Sequence, residues 1–205
     1  MYQDDSRCTD VGQKAQFDFA CYCAMNNVTC VPAPKCVDMQ YHIDYNIVIN
    51  GNLLGVDVKN DKFGYKGVAC FEIPVPEKTL SRYAATATYY SPYGINCGWT
   101  TSTTDKYNAT MTVKIKGDYV GYVMNDGVYF IERTDGYMVN IIKNILMEKS
   151  PNPRALYPDP KAMNNQPYLL SCNRSANQQC LCTYLPLDDV RPYMMTLDQL
   201  KEKYA

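Results

Sequence analysis

The sequence predicts a mainly β fold: an antiparallel meander that forms a sandwich or barrel, with disulfide-stapled N- and C-terminal arms and one or two short helices. Two observations predict the meander. Residues 39–59 and 110–133 alternate apolar and polar side chains, and Asn-Gly and Asp-Gly turns interrupt the alternation. A period of two gives a strand one dry and one wet face, and such turns join antiparallel strands. The third observation, ten cysteines in 205 residues, predicts the staples.

Residues 1–38 are interpreted as a cysteine-rich N-terminal arm. They hold five of the ten cysteines, and their prolines interrupt regular structure before the first long strand. Residues 17–23 alternate like a short strand, which places Cys21 and Cys23 on one face. A bond between these two cysteines would strain the disulfide geometry, so we expect each to bridge to another segment.

The opening hairpin has two registers that keep its apolar face together. A loop at Gly51-Asn52 places Asp44 opposite Lys59, whereas a loop at Asn50-Gly51 places Asp44 opposite Asp57. Asn-Gly is the better type I′ dipeptide, which favours the second register. Opposite charges across a strand pair are favourable and like charges are not, so we predict the Gly51-Asn52 loop.

Residues 39–148 are interpreted as the β core of a single domain that spans residues 1–205. Beyond the hairpin, the strands predicted in this core are 67–73, 81–90, 111–116, 119–124 and 128–133, with a helix as the alternative for 81–90 because its alanines favour one. Apolar residues of the segment 138–148 recur at spacings of three and four, which predicts an amphipathic helix. Its β-branched residues keep a strand as the alternative.

Residues 149–205 are interpreted as a proline-rich crossing followed by a cysteine-containing C-terminal arm. Five prolines in the segment 150–168 predict a surface connector without regular structure. The alternative is an extended polyproline peptide that lies in a groove of a partner. Thr196 and Gln199 have the spacing of a capping box, which predicts a short helix over 197–204.

All ten cysteines are expected to form disulfides, because the chain has no C-x-x-C pair and too few histidines for the usual zinc spacings. We expect Cys180 and Cys182 to bond to different partners. At least one bond should tie the N-terminal arm to a residue beyond Cys36, because five cysteines cannot all pair with one another. The ten are Cys8, Cys21, Cys23, Cys30, Cys36, Cys70, Cys97, Cys172, Cys180 and Cys182.

Three N-x-S/T sequons predict glycosylation at Asn27, Asn108 and Asn173. We expect sugars at Asn108 and at least one of the other two. Together with the cysteines, the sequons predict a secreted, extracellular glycoprotein, because disulfides persist in oxidising compartments. The polar N-terminus leads us to expect that any signal peptide was removed before residue 1.

Several function classes are disfavoured by composition and motifs. The net charge is −1 without a basic stripe, so we expect no nucleic-acid partner, and no apolar run is long enough for a membrane span. The one histidine, His42, lies on the wet face of a predicted strand, and no G-x-S-x-G elbow is present. We therefore expect no catalytic residues, no metal site, no cofactor and no enzymatic activity.

The function predicted is that of a non-catalytic extracellular binding, recognition or assembly module. Nineteen tyrosines against five phenylalanines suit half-buried strands, and they also suit a Tyr-rich β surface that contacts an extracellular protein or another copy of the chain. The alternative is a carrier of a small apolar ligand inside a lipocalin-like β-barrel. The G-x-W motif of lipocalins is missing from the first strand, so no residue is assigned from that family.

Overall fold

The architecture is given by a computed structural model that describes residues 6–35, 43–59, 67–73, 119–132, 137–151, 156–157, 167–175 and 178–205. The chain divides into two units. Unit 1 comprises Met1–Gly67, Ile115–Glu132 and Arg191–Ala205, and unit 2 comprises Val68–Lys114 and Arg133–Val190. Each unit draws on distant parts of the chain, and the single-domain organisation stays a prediction.

Unit 1 contains a five-stranded sheet and two helices. Its elements are α1 (Ser6–Met25), β1 (Thr29–Pro32), β2 (Tyr45–Ile49), β3 (Asn52–Lys59), β5 (Tyr119–Met124), β6 (Gly127–Glu132), a 3-10 turn (Arg191–Tyr193) and α4 (Leu197–Lys203). The strand order is β1-β2-β3-β5-β6. Neighbouring strands are antiparallel except for β3 and β5, which run parallel.

Unit 2 contains a second sheet with the order β4-β9-β8-β7. Its elements are β4 (Val68–Ile73), α2 (Tyr137–Lys149), β7 (Leu156–Tyr157), β8 (Leu170–Ser175), β9 (Gln178–Pro186) and α3 (Leu187–Val190). The β7–β8 pair is parallel and the other two pairs are antiparallel. The predicted crossing without regular structure is therefore wrong at Leu156–Tyr157.

The prediction of a mainly β fold is confirmed in part. The described strands form two sheets with a parallel pair in each, so a purely antiparallel meander is wrong, and they do not close into a barrel. A parallel pair needs a long crossover connection, and 59 residues connect β3 to β5. The sandwich alternative stays a prediction.

The N-terminal segment is a 20-residue helix, which corrects the strand predicted for residues 17–23. Ala15, Phe19 and Cys23 are buried at intervals of four residues, the spacing of one helix face. Phe17, whose alternation with Phe19 suggested a strand, is 67% exposed. The helical spacing of Ala15, Phe19 and Cys23, which covers nine residues, therefore predicts this segment better than the short alternation around Phe17.

The opening hairpin has its loop at Asn50-Gly51, so the predicted Gly51-Asn52 register is wrong. Tyr45 lies opposite Val56, and Ile49 lies opposite Asn52. The φ angles of Asn50 and Gly51 are 48° and 82°, as the two central residues of a type I′ turn require.

Asp44 and Asp57, the like-charged pair that counted against this register, each interact with a favourable partner of their own. The carboxylate of Asp44 accepts a hydrogen bond from the Val58 amide at 2.7 Å. Asp57 instead forms an ion pair of 2.7 Å with Lys59 on its own strand. Because each carboxylate has a favourable partner, turn geometry decides the register.

Several local predictions are confirmed. The strands at 67–73, 119–124 and 128–133 correspond to β4, β5 and β6, and the helix over 138–148 corresponds to α2. The capping box at α4 is present, with the Gln199 amide donating to Thr196 Oγ1 and the Thr196 amide donating to Gln199 Oε1. The strands predicted at 81–90 and 111–116 lie outside the described residues.

The core of unit 1 lies between α1 and one face of the sheet. Phe19 is fully buried at its centre, with ring centroids 5.6 Å from Tyr45 and 6.1 Å from Phe130. Gly121 lies directly beneath it, and a Cβ on that glycine would come within 2.8 Å of the Phe19 ring and 2.9 Å of Val56. The sheet face is therefore filled by the chain's own helix.

Candidate functional site

The end of α1 shows how the sequence brings two cysteines together. Asn27 adopts φ 55°, a left-handed conformation that asparagine tolerates. Its amide donates to the Ala24 carbonyl at 3.1 Å, and the Val28 amide donates to the Cys23 carbonyl at 2.9 Å. These two bonds form a Schellman motif, which ends the helix and turns the chain back towards Cys23.

The strand after this turn delivers Cys30 to the same side. Val28 is buried, and Cys30 is two residues further along the extended chain, so both face the core. The backbone partner of Cys30 is Ile47, which is fully buried in that core. Cys30 packs against the same buried cluster as Cys23, and the side-chain interaction with Cys30 together with burial raises the pKa of the Cys23 thiol.

Tyr45 on β2 lies near this pair and near a third cysteine, Cys21. Cys21 is half-buried two residues before Cys23 on α1, and residues so spaced do not share a helix face, so the predicted common face of Cys21 and Cys23 is wrong. The hydroxyl of Tyr45 on β2 has a raised pKa, because it is partly buried and because Cys30 lies nearby. We refer to Cys21, Cys23, Asn27 and Cys30 as the α1–β1 corner.

The corner also carries the one described sequon whose side chains are placed. Asn27 and Thr29 are both exposed, while Val28 between them is buried. Asn173 lies on β8, and Asn108 is outside the described residues. The structure therefore leaves Asn27 accessible to modification.

The remaining cysteines are spread over the fold. Cys8 lies on α1, Cys70 on β4, Cys172 on β8, and Cys180 and Cys182 on β9. In the backbone register, Cys182 is opposite Glu72 and Cys180 is opposite Asn173. Cys36 and Cys97 lie outside the described residues, as does His42, and the pairing of all ten stays a prediction.

A second cluster of polar side chains anchors the C-terminal helix to the sheet. The hydroxyls of Tyr119 and Tyr204 are 3.0 Å apart, and Lys203 Nζ is 2.6 Å from Glu132 Oε2. Lys203 also lies 5.4 Å above the Tyr119 ring. Burial is the main cause that raises the pKa of Tyr119, so its hydroxyl is a poor general base and the cluster is suited to holding α4.

This cluster predicts a loss of stability at alkaline pH. A tyrosine whose pKa is higher in the folded than in the unfolded protein stabilises the fold below about pH 10, and that contribution fades as the pH rises further. We expect the denaturation midpoint to fall progressively as the pH rises above about 10, and to fall less steeply in Tyr119→Phe. Tyr137→Phe, at an exposed tyrosine, should keep the wild-type profile; equal slopes in both variants would contradict the account.

Lys203 acts in the same direction at alkaline pH. Burial lowers its pKa, but the hydrogen bonds with Glu132 and Tyr119 outweigh burial and raise it. The charged lysine therefore stabilises the fold below its unfolded pKa of about 10.4 and ceases to do so as the pH rises through the folded value. This is why a partial slope should persist in Tyr119→Phe.

Two further polar clusters fix loops within their own units. In unit 1, Arg191 donates to Asp126 and to the Tyr129 hydroxyl, both at 2.9 Å, and the hydrogen bond from Arg191 lowers the pKa of Asp126. In unit 2, Asp189 accepts hydrogen bonds from Lys149 and from the Tyr168 hydroxyl. Both clusters pair charges with the opposite charge, as expected of structural ion pairs.

Within the described ranges, no three histidine, cysteine or acidic side chains are placed to hold a metal ion. None of the described helices is long and apolar enough to cross a membrane. Comparison of the chain with protein-family models, with curated proteins and with solved structures finds no match.

Sequence reasoning named every residue of the α1–β1 corner but did not bring them together. The cysteine and sequon counts identified the members, whereas their contact depends on a helix that the sequence reasoning did not predict. The Tyr119–Tyr204 contact joins residues 85 positions apart, and no local pattern indicates it.

Proposed function

We propose that the chain is a secreted, disulfide-rich glycoprotein that acts as a non-catalytic extracellular binding or assembly module. The observation that carries the proposal is the α1–β1 corner, where two cysteines that pack into the same core flank an exposed sequon. Disulfide formation and N-glycosylation both take place in the secretory pathway, so one short segment is suited to both modifications.

The filled core of unit 1 supports a module that works through its surface. A carrier needs an enclosed apolar cavity of roughly 300 Å³ or more. In unit 1 the apolar sheet face is covered by α1, and the space above Gly121 is too small for one additional carbon. This packing favours the surface module over the lipocalin-like carrier.

The surface itself offers both aliphatic and aromatic side chains. Val48 and Leu53 are exposed and lie directly opposite each other on β2 and β3, and Val31 is exposed on the edge strand β1. Tyr129 is half-buried on a strand of the same sheet. We propose that an extracellular protein or another copy of this chain is the partner.

Native mass spectrometry of the protein secreted by eukaryotic cells separates the two function classes. We expect the mass of the polypeptide with its glycans and no co-purifying small molecule. A stoichiometric apolar ligand, lost on denaturation, would overturn the surface module and establish the carrier.

The sugar at Asn27 is tested by two substitutions of the exposed Thr29. Thr29→Ala destroys the sequon and Thr29→Ser keeps it, and both change little else at an exposed strand position. We expect the intact mass to fall by one glycan in Thr29→Ala and to keep that glycan in Thr29→Ser. If Thr29→Ala has the same glycan mass as wild type, Asn27 does not carry a sugar.

A further inference from the structure

We propose that Cys23 and Cys30 form one specific disulfide, which ties the end of α1 to the edge strand β1 and encloses the Asn27 sequon in its loop. The proposal rests on the proposed function for its oxidising compartment, and it goes beyond it by naming a bond. Five cysteines of the N-terminal arm allow many pairings, and the geometry of the helix end selects this one.

The backbone directs both cysteine side chains into the core. The Schellman motif holds Val28 against Cys23, and the pleat of β1 repeats that orientation at Cys30. The turn and the strand therefore direct both side chains into the same core, and they are set by hydrogen bonds that do not involve sulfur.

Both sulfur atoms lie in or against the apolar core of unit 1. Cys23 is fully buried in the core of unit 1, and Cys30 packs against the same core. The bond would thus be shielded from reductants, as is typical of structural disulfides. A pair of reduced thiols in the core is the competing interpretation, because cysteine also behaves as a small apolar residue.

The chemistry follows from the difference in exposure. Cys30 is half-buried and Cys23 is buried, so the Cys30 thiolate is the better placed to attack the disulfide of an oxidised dithiol oxidoreductase. Cys23 then displaces the oxidoreductase from the mixed disulfide. Two S–H bonds break and one S–S bond forms, and the oxidoreductase accepts the two electrons and two protons as its dithiol.

This pairing has a consequence for the other cysteines. It leaves Cys8, Cys21 and Cys36 in the arm, and three cysteines cannot all pair among themselves. If every cysteine is oxidised, at least one of them bonds beyond the arm. Cys21, half-buried on α1, would then have a different partner.

Peptide mapping tests the bond directly. The protein secreted by eukaryotic cells is alkylated without reduction, deglycosylated and digested. Chymotrypsin after Tyr22 separates Cys21 from Cys23, cyanogen bromide after Met25 separates Cys23 from Cys30, and trypsin cleaves after Lys35. We expect residues 23–25 linked to residues 26–35, and two separate peptides after reduction.

Two cysteine variants test which residue bonds to Cys23. Cys30→Ala should leave Cys23 as a thiol that is alkylated once the protein is denatured, whereas Cys21→Ala should leave the 23–25 to 26–35 link intact. Where a variant is not secreted, the wild-type map decides alone. Cys23 or Cys30 bonded to another cysteine would overturn this pairing but keep the oxidised protein, and alkylated thiols at all ten positions would overturn both.

Discussion

Replacing Phe19 with alanine is expected to lower the free energy of unfolding by about 3–5 kcal/mol, as measured by denaturant titration. Phe19 is fully buried between α1 and the sheet, where it contacts the rings of Tyr45 and Phe130. Its ring packs directly on the backbone at Gly121, so the substitution leaves a cavity as well as losing apolar burial.

The same contact predicts a double-mutant result. Gly121→Ala alone should cost about 1–3 kcal/mol, because its new methyl group overlaps the Phe19 ring. In the Phe19→Ala background the ring is gone, so Gly121→Ala should cost less than it does alone.

A matched control lies on α1 itself. A methyl group added at Gly12 would meet no described atom within 4 Å, so Gly12→Ala should raise helix stability by about 0.5–1 kcal/mol.

Additive costs of Phe19→Ala and Gly121→Ala would show that α1 does not pack on the sheet in this way.

Replacing Asp44 with alanine is expected to cost about 1.5–3 kcal/mol of unfolding free energy, the range for hydrogen bonds to a charged group. Its carboxylate accepts from the Gln16 side chain and from the Val58 amide, both at 2.7 Å. One side chain thus joins α1, the start of β2 and the end of β3, and its removal leaves the Val58 amide without this acceptor.

Asp44→Asn provides the comparison for this substitution. Asparagine has the same shape and keeps one acceptor oxygen, so it should retain part of the stability that alanine loses. Equal losses in both variants would mean that charge alone matters, and no loss in either would contradict the observed register of the hairpin.

The elements that the sequence predicted well are those whose signals are local. The capping box of α4 needs only Thr196 and Gln199, three residues apart, and the β5–β6 hairpin needs only its alternation and an Asn125-Asp126 turn. In both cases the partners that satisfy the backbone are neighbours in sequence. Such patterns can be read without knowing the rest of the fold.

The elements that were missed depend on distant partners or on a choice between two local rules. The buried spacing of Ala15, Phe19 and Cys23 competes with a short alternation around Phe17, and the sheet that covers the helix face decides between them. The parallel pairing of β3 with β5 has no local signal.

The hairpin register was missed for a different reason. Its charge argument assumed that Asp44 and Asp57 would face each other without other partners. In the structure one carboxylate binds a backbone amide and the other binds a lysine. The proximity of Cys23 and Cys30 at the α1–β1 corner could likewise not be predicted, because it depends on where α1 ends.

The most direct test of the account is the number of thiols in the protein secreted by eukaryotic cells. The protein is denatured in an alkylating reagent with and without prior reduction, and its intact mass is measured. The account predicts no alkyl groups without reduction and ten after it, one for each cysteine. Two or more alkyl groups without reduction would contradict a fully disulfide-bonded extracellular module.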